Sequence, residues 1–145
     1  MLLIATAFNL SVVGITGISG DRLMQINQFL KANALAGLGN AYLCLEEHEE
    51  VIASYQKSLA ICEEIKHYQG AGATLGNLGI ACGSFGQYEQ AIDDREKSLA
   101  IDGEIKHRQG EATSLNNIGS VYRQLHQTEK AIKKYQCGQY LVGCG

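Results

Sequence analysis

Histidine and cysteine are the side chains of this 145-residue sequence that most readily bind metals, and their spacing argues against a metal site. The five cysteines stand at positions 44, 62, 82, 137 and 144, without a Cys-x-x-Cys pair. His48 follows Cys44 by four residues and would share a helix face with it, but a zinc site needs three or four ligands. We therefore predict no metal site, and we expect reduced, mostly buried thiols, as in a cytosolic protein.

Two further histidines, His67 and His107, each follow a lysine and are separated by 40 residues. No cysteine or carboxylate has a fixed position between them, which argues against a metal or a pH switch. A lysine and a histidine at the end of a helix would oppose the helix dipole favourably, so we predict a structural role for both.

The segment GAGATLG, from Gly70, is similar to the glycine pattern of dinucleotide-binding sites. Its third glycine comes one residue late, and no β-strand pattern precedes it. No nucleophile–base pair stands out elsewhere. We predict no cofactor and no enzymatic activity.

The overall charge argues against nucleic acid as a partner. Twelve basic residues are balanced by 15 acidic ones, whereas a nucleic-acid-binding protein usually has a concentrated basic face. Apolar residues make up 46% of the chain, which is enough for a folded core, and the absence of proline favours helices.

The segment KSLAICEEIKHYQG, residues 57–70, reappears as KSLAIDGEIKHRQG, residues 97–110. The same offset aligns several further positions in three registers. They are Leu35, Leu75 and Leu115; Leu38, Leu78 and Ile118; Gly39, Gly79 and Gly119; Tyr42, Cys82 and Tyr122; Val51, Ala91 and Ala131; and Tyr55, Arg95 and Tyr135. Agreement at this many positions predicts three copies of one structural unit.

Large residues within each unit are spaced by three and four, which is typical of one face of a helix. Leu35, Leu38, Tyr42 and Leu45 form the first such stripe, and Ile52, Tyr55, Leu59 and Cys62 form the second. A short polar or glycine-containing turn separates the two stripes, at residues 46–48, 86–88 and 126–128. Each unit is predicted to be a helix, a tight turn and an antiparallel helix, and about three stacked units are needed for stability.

The consensus of the three units is LxxLGxxY, followed after eight residues by alanine and after three more by tyrosine. This pattern resembles the tetratricopeptide repeat (TPR), in the 40-residue form of bacterial and kinesin-light-chain-like arrays. The resemblance implies an all-α fold, a right-handed α-solenoid of three helix-turn-helix units. We place the units at residues 32–70, 71–110 and 111–145, after an apolar segment and lead-in helix at 1–31. It also implies a non-catalytic module that binds a peptide segment of a partner protein in a concave groove lined by the first helices.

Residues of the first helices that face away from the apolar stripe are the expected groove residues. They are Asn33, Asn40, Cys44, Asn77, Asn116, Asn117, Ser120 and Arg123. An asparagine amide offers a donor and an acceptor to a peptide main chain without adding charge, although some of these amides could instead bridge helices. Some relatives clamp a peptide carboxylate with asparagines and basic residues, but Arg123 is the only basic residue near these positions, so we do not expect such a clamp.

The two ends of the chain leave alternatives open. Residues 1–20 are uncharged, and they could cover the first unit, contact a membrane or lack structure. Asp21 is predicted as the N-cap of a helix that runs from about Arg22 into unit one, as far as Leu45. The third unit ends in CGQYLVGCG without a polar capping helix, so its exposed face could drive self-association or could mark a fragment of a longer array. Cysteine usage favours the cytoplasm, with membrane association through residues 1–20 as the alternative.

Overall fold

The computed structural model describes residues 19–143, which fold into six helices without a strand. The helices are α1 (Gly20–Cys44), α2 (His48–Glu64), α3 (Tyr68–Ser84), α4 (Tyr88–Glu104), α5 (Arg108–Gln124) and α6 (Thr128–Gly143). Each helix packs on its neighbours along the chain, and α3 also touches α1 and α5. Unit one is α1 with α2, unit two is α3 with α4, and unit three is α5 with α6. The predicted all-α solenoid of three helix-turn-helix units is confirmed.

The lead-in helix and the first helix of unit one are one continuous element, as predicted. Helix α1 has 25 residues, against 16 or 17 in the others, so the predicted boundary between residues 31 and 32 falls inside it. The prediction of Asp21 as N-cap is wrong. Ser19 has the extended backbone that an N-cap requires, and its Oγ accepts the Arg22 N–H at 3.4 Å. Asp21 lies in the first turn, where its charge is favourable to the helix dipole.

The three alternatives for the apolar amino-terminal segment concern residues that lie, apart from Ser19 and Gly20, outside the described part of the chain. None of the described helices is long and apolar enough to cross a membrane.

All five connections between helices have the same geometry. After α2, the Lys66 N–H bonds the Glu63 carbonyl at 3.1 Å and the His67 N–H bonds the Cys62 carbonyl at 2.8 Å, which is a Schellman motif. The residue in the position of Lys66 has positive φ in every connection: Glu46, Lys66, Gly86, Lys106 and His126, with φ between 55° and 75°. Only Gly86 is a glycine, so the other four connections hold an L-residue in the left-handed region that such residues disfavour. The residue after each is the N-cap of the next helix, which is why the turns contain only three residues.

A buried glycine of each first helix packs directly against a large side chain of the second helix. The ideal Cβ position at Gly39 lies 2.8 Å from Tyr55 Cε1, that at Gly79 lies 2.7 Å from Arg95 Cγ, and that at Gly119 lies 3.0 Å from Tyr135 Cε1. A methyl group at any of these sites would overlap the facing side chain. The repeated glycine is therefore required for the distance between the two helices of a unit.

Buried serine hydroxyls connect successive units. Ser58 Oγ in α2 donates to the Ala32 carbonyl of its own unit at 2.8 Å and lies 3.4 Å from Thr74 Oγ1 of the next unit. Ser98 in α4 repeats the arrangement, since its Oγ donates to the Gly72 carbonyl at 2.9 Å and accepts from Ser114 Oγ at 3.3 Å. These hydrogen bonds lie beside apolar clusters that also cross unit boundaries, such as Val51 and Tyr55 with Leu75, Leu78 and Ala81.

One position of the predicted first-helix stripe is buried in units two and three, where a second helix of the preceding unit covers it, but not in unit one. Leu78 and Ile118 are 5% and 0% exposed, whereas Leu38 at the equivalent position of unit one is 44% exposed. Leu78 packs against α2, but the described part of the chain has no element on the corresponding side of Leu38. The prediction for the cysteines is half right: Cys62 and Cys82 are buried, Cys44 and Cys137 are exposed, and none of these four forms a disulfide.

The glycine contact leads to a first prediction. Replacing Gly39 with alanine should lower the free energy of unfolding by about 1–2 kcal/mol, because overpacking against Tyr55 outweighs the better helix propensity of alanine. Gly37, two residues earlier in α1, is the matched control, since a Cβ there meets nothing within 4 Å. Gly37→Ala should raise the free energy of unfolding by about 0.5–1 kcal/mol. Urea denaturation followed by circular dichroism measures both, and an equal gain at the two sites would contradict the packing argument.

The connection geometry leads to a second prediction. Lys66→Gly should raise the free energy of unfolding by about 0.5–1 kcal/mol, because glycine removes the left-handed strain, which exceeds its extra chain entropy. Lys57→Gly, at an exposed position within α2, should lower it by about 1 kcal/mol. The same denaturation measurement applies, and destabilisation by both changes would show that the backbone at Lys66 is unstrained.

Candidate functional site

A cavity of about 330 Å³ opens between α3 and α5, the first helices of units two and three. Helix α4 forms its floor. The polar side chains around it are Gln69 and Asn77 from α3, Gln109, Thr113, Ser114 and Asn117 from α5, and Arg95, Ser98 and Asp102 from α4. Small residues such as Gly72, Ala73 and Gly76 line the α3 wall, and their lack of bulk leaves the space above α4 open.

Asn77 and Asn117 are the two predicted groove residues that the fold brings together in this cavity. They occupy the same repeat position on adjacent first helices, and both are half-buried. Unit one has Gly37 at this position, so it offers no equivalent amide. The paired amides are therefore a feature of the boundary between units two and three.

Two other predicted groove residues are bonded within their own units. The Tyr55 hydroxyl donates to Asn40 Oδ1 at 2.6 Å, and Ser120 Oγ lies 3.0 Å from the Tyr135 hydroxyl. Both contacts span first helix to second helix, which matches the alternative that some of these polar groups bridge helices. Burial raises the pKa of the Tyr55 phenol, with a smaller contribution from the charge of Cys44.

The remaining predicted groove residues lie outside this cavity. Asn33 and Cys44 are exposed on α1, and Arg123 is exposed in the last turn of α5, where a cation favours the helix dipole. Asn116 turns toward α6, because its Oδ1 lies 2.7 Å from the ideal Cβ position of Gly138.

Arg95 lies on the floor of the cavity and is 4% exposed. Its Nη1 lies 3.4 Å from the ideal Cβ position of Gly76, and its Nη2 has no hydrogen-bond partner among the described residues. Burial lowers the pKa of the guanidinium to about 10, so the side chain still carries its charge at neutral pH. Sequence reasoning aligned Arg95 with two tyrosines but did not single it out. Its departure from the repeat was the available signal.

Asp102 is a second buried charged residue that sequence reasoning missed. It lines the same cavity, is 6% exposed, and its Oδ1 lies 2.9 Å from His107 Nδ1. Unit one has Cys62 at this position. The signal for Asp102 was again a difference between units, a carboxylate in place of a thiol.

The prediction that His67 and His107 favourably oppose a helix dipole is wrong. They are the N-caps of α3 and α5, at the positive end of the dipole. His67 Nδ1 accepts the Gly70 N–H at 3.0 Å, which satisfies one of the free donors at the start of α3. The three-residue connections place these histidines at helix starts rather than at helix ends.

A larger cavity, about 720 Å³, lies on the opposite side of α3, between α2 and α4. Its walls include the core residues Leu75 and Leu78, together with Cys82 and Asp94. The Cys82 thiol lies 3.8 Å from Asp94 Oδ2, and Gln90 Nε2 donates to Asp94 Oδ1 at 3.0 Å. Burial and the neighbouring carboxylate raise the pKa of Cys82 to about 11, which makes it a poor nucleophile. Burial also raises the pKa of Asp94.

Within residues 19–143, no group of three or more histidine, cysteine, aspartate or glutamate side chains is arranged to hold a metal ion. The polar groups of the smaller cavity are amides and hydroxyls, together with the Arg95 guanidinium, the Asp102 carboxylate and the His107 imidazole. Such groups can bind a polar ligand by hydrogen bonding and by charge.

Comparisons with known proteins identify the family. The tetratricopeptide repeat family model matches residues 30–104 and 73–138. The TPR domain of Arabidopsis FLU is structurally similar, with a TM-score of 0.74 at 20% identity over 81% of this chain and 99% of that domain. BtubC (BKLC) from P. vanneervenii has a TM-score of 0.73 at 18% identity over 78% of this chain, and the match spans 47% of BtubC. No curated protein matches the chain significantly. Since the family model covers well over half of the sequence, the chain belongs to the tetratricopeptide repeat family.

Proposed function

We propose that this chain is a non-catalytic protein-interaction module that binds an extended peptide segment of a partner protein along α1, α3 and α5. The centre of the proposed site is the cavity between α3 and α5. TPR domains generally take part in protein–protein interactions or act as scaffolds, which supports the class of function. The observation that carries the specific proposal is the pair of half-buried amides, Asn77 and Asn117, on the two walls of one cavity.

The arrangement suits a peptide main chain for a physical reason. An extended peptide presents N–H and C=O groups that need partners once they leave water. Each asparagine amide supplies both a donor and an acceptor, and Gln69 and Gln109 add two further amides from the first turns of α3 and α5. A volume of about 330 Å³ has room for one or two peptide side chains between α3 and α5. Asn33, Asn40, Cys44, Asn116, Ser120 and Arg123 are proposed as flanking positions along the same helices.

The reduced cysteines support a proposal on location. The four described thiols are free, which favours a reducing compartment, and we propose the cytoplasm.

Self-association is the second candidate function. Helix α6 exposes Ile132, Tyr140 and Val142 at 51%, 72% and 58%, so one end of the described solenoid presents an apolar surface. Such a surface can pair with another copy or with a further repeat. This alternative does not involve the asparagine cavity, so the two functions can be separated by experiment.

A peptide selection tests the proposed function. Peptides of 12 residues selected from a random displayed library on the intact chain should bind with lower affinity after the double change Asn77→Ala, Asn117→Ala. Two lost hydrogen bonds of about 1 kcal/mol each predict a roughly 30-fold higher Kd. Fluorescence anisotropy with labelled peptides measures the Kd, and circular dichroism checks the fold of each variant.

Asn27→Ala is the control for this experiment, because Asn27 is an exposed asparagine of α1 outside the proposed groove. Its Kd should equal that of the intact chain. Unchanged binding by the Asn77, Asn117 variant would exclude the cavity as the peptide site. If the intact chain instead shows a mass that rises with concentration in sedimentation equilibrium, and Ile132→Glu abolishes that rise, self-association is the better description.

A further inference from the structure

The second helices of the three units differ at one position, whose side chain faces the first helix of the same unit. This position holds Tyr55, Arg95 and Tyr135. In units one and three the tyrosine hydroxyl is bonded to the facing first helix, through Asn40 or Ser120. The equivalent facing residue in unit two is Ile80, which has no polar atom to offer. Arg95 therefore lacks the partner that the repeat provides at its other two copies.

No carboxylate of the described residues compensates the charge of Arg95. The acid–base contacts in this part of the chain are Lys97 with Asp93, His107 with Asp102 and Lys134 with Glu96, and none includes Arg95. A buried charge without a partner is unfavourable, because the protein interior solvates it less well than water. An external anion that binds the guanidinium would remove this cost, so the Arg95 position favours a negatively charged group of a ligand.

Two acidic residues, Asp94 beside Arg95 in sequence and Asp102 in the same cavity, have other contacts. Asp94 lies on a different side of α4 from Arg95. It lines the larger cavity, where Cys82 and Gln90 contact it. Asp102 lines the same cavity as Arg95, but its Oδ1 is bonded to His107. The guanidinium on the cavity floor thus has no acidic partner among the described residues, and Ile80, which lines the same cavity, is 48% exposed.

We propose that Arg95 binds the carboxylate of an aspartate or glutamate side chain within an extended peptide that lies across the cavity between α3 and α5. This inference rests on the proposed function, and it names the side-chain chemistry that the site selects. The planar guanidinium matches a carboxylate through two parallel hydrogen bonds. Asn77 and Asn117 stand on the two walls above it, so a peptide that contacts both amides passes over Arg95. An internal acidic side chain is therefore favoured over the carboxylate at a peptide end.

The repeat itself supplies the matched variant. Arg95→Tyr with Ile80→Asn rebuilds the Tyr55–Asn40 pair of unit one inside unit two. Gly79, like Gly39, has the space that a facing tyrosine needs. The double variant should fold, and its melting temperature should be at least that of the intact chain, because it replaces an unpartnered buried charge with a bonded hydroxyl. Arg95→Met, which keeps the length of the side chain without its charge, serves as a second variant.

The experiment uses peptides selected on the intact chain, each synthesised with its acidic residues and again with Asp→Asn or Glu→Gln changes. A third version keeps the acids but has an amidated carboxyl terminus. With the intact chain, one acid-to-amide change should raise the Kd by roughly 30-fold or more. With the Tyr–Asn variant and with Arg95→Met, the same pair of peptides should bind within about threefold of each other.

The outcomes separate the inference from the proposed function. Selected peptides without acidic residues, or an acid dependence that persists in both Arg95 variants, would overturn the inference and leave peptide binding intact. Binding that is lost when only the carboxyl terminus is amidated would also overturn the inference. The terminal carboxylate, rather than an acidic side chain, would then be the ligand. If no peptide is selected, or if binding survives Asn77→Ala, Asn117→Ala, the proposed function fails and the inference fails with it.

Discussion

The close approach of a first-helix glycine to a large second-helix side chain is the contact on which the rest of this solenoid depends. At Gly39, Gly79 and Gly119 there is no room for a Cβ, because Tyr55, Arg95 and Tyr135 fill the space. The contact sets the distance between the paired helices. That distance in turn fixes where the second helices present their other faces to the next unit, so one atom-level constraint, repeated three times, determines the regularity of the whole fold.

Buried hydrogen bonds position successive units relative to one another, in addition to the glycine contact within each unit. Ser58 and Ser98 bond a carbonyl of their own unit and a hydroxyl of the next, in a dry environment where an unpaired hydroxyl would be unfavourable. These hydrogen bonds have direction, unlike apolar contacts, and so they help to fix the register between units. The walls of the cavity between α3 and α5 are consequently held by packing and hydrogen bonds below them, which pre-organises the site for a ligand.

The regular scaffold also explains why a few residue differences between units can change the binding properties of the surface. Every unit has nearly the same backbone, so the surface is distinguished by the few positions where the residues differ. Unit two exchanges a bonded tyrosine for Arg95, and Asp102 takes the place that a cysteine has in unit one. Both changes introduce charge at buried positions around one cavity. These two buried charged residues, which distinguish unit two from the other units, therefore lie where units two and three meet.

The sequence by itself determined the helices, the 40-residue unit, the number of units and the continuous α1, because these depend on local spacing, on propensity and on the absence of proline. It also placed Asn77 and Asn117 on helix faces that turn away from the apolar stripe, and the structure has both lining one cavity. It misplaced the N-cap at Asp21 and the role of His67 and His107, which depend on a shift of one or two residues at helix ends. Only the tertiary structure decided that Asn40 and Ser120 bond tyrosines, that Asn116 turns toward α6, and that Arg95 and Asp102 share a cavity. These facts require distances between helices far apart in sequence, and a linear pattern reports which face a residue occupies but not what stands opposite it.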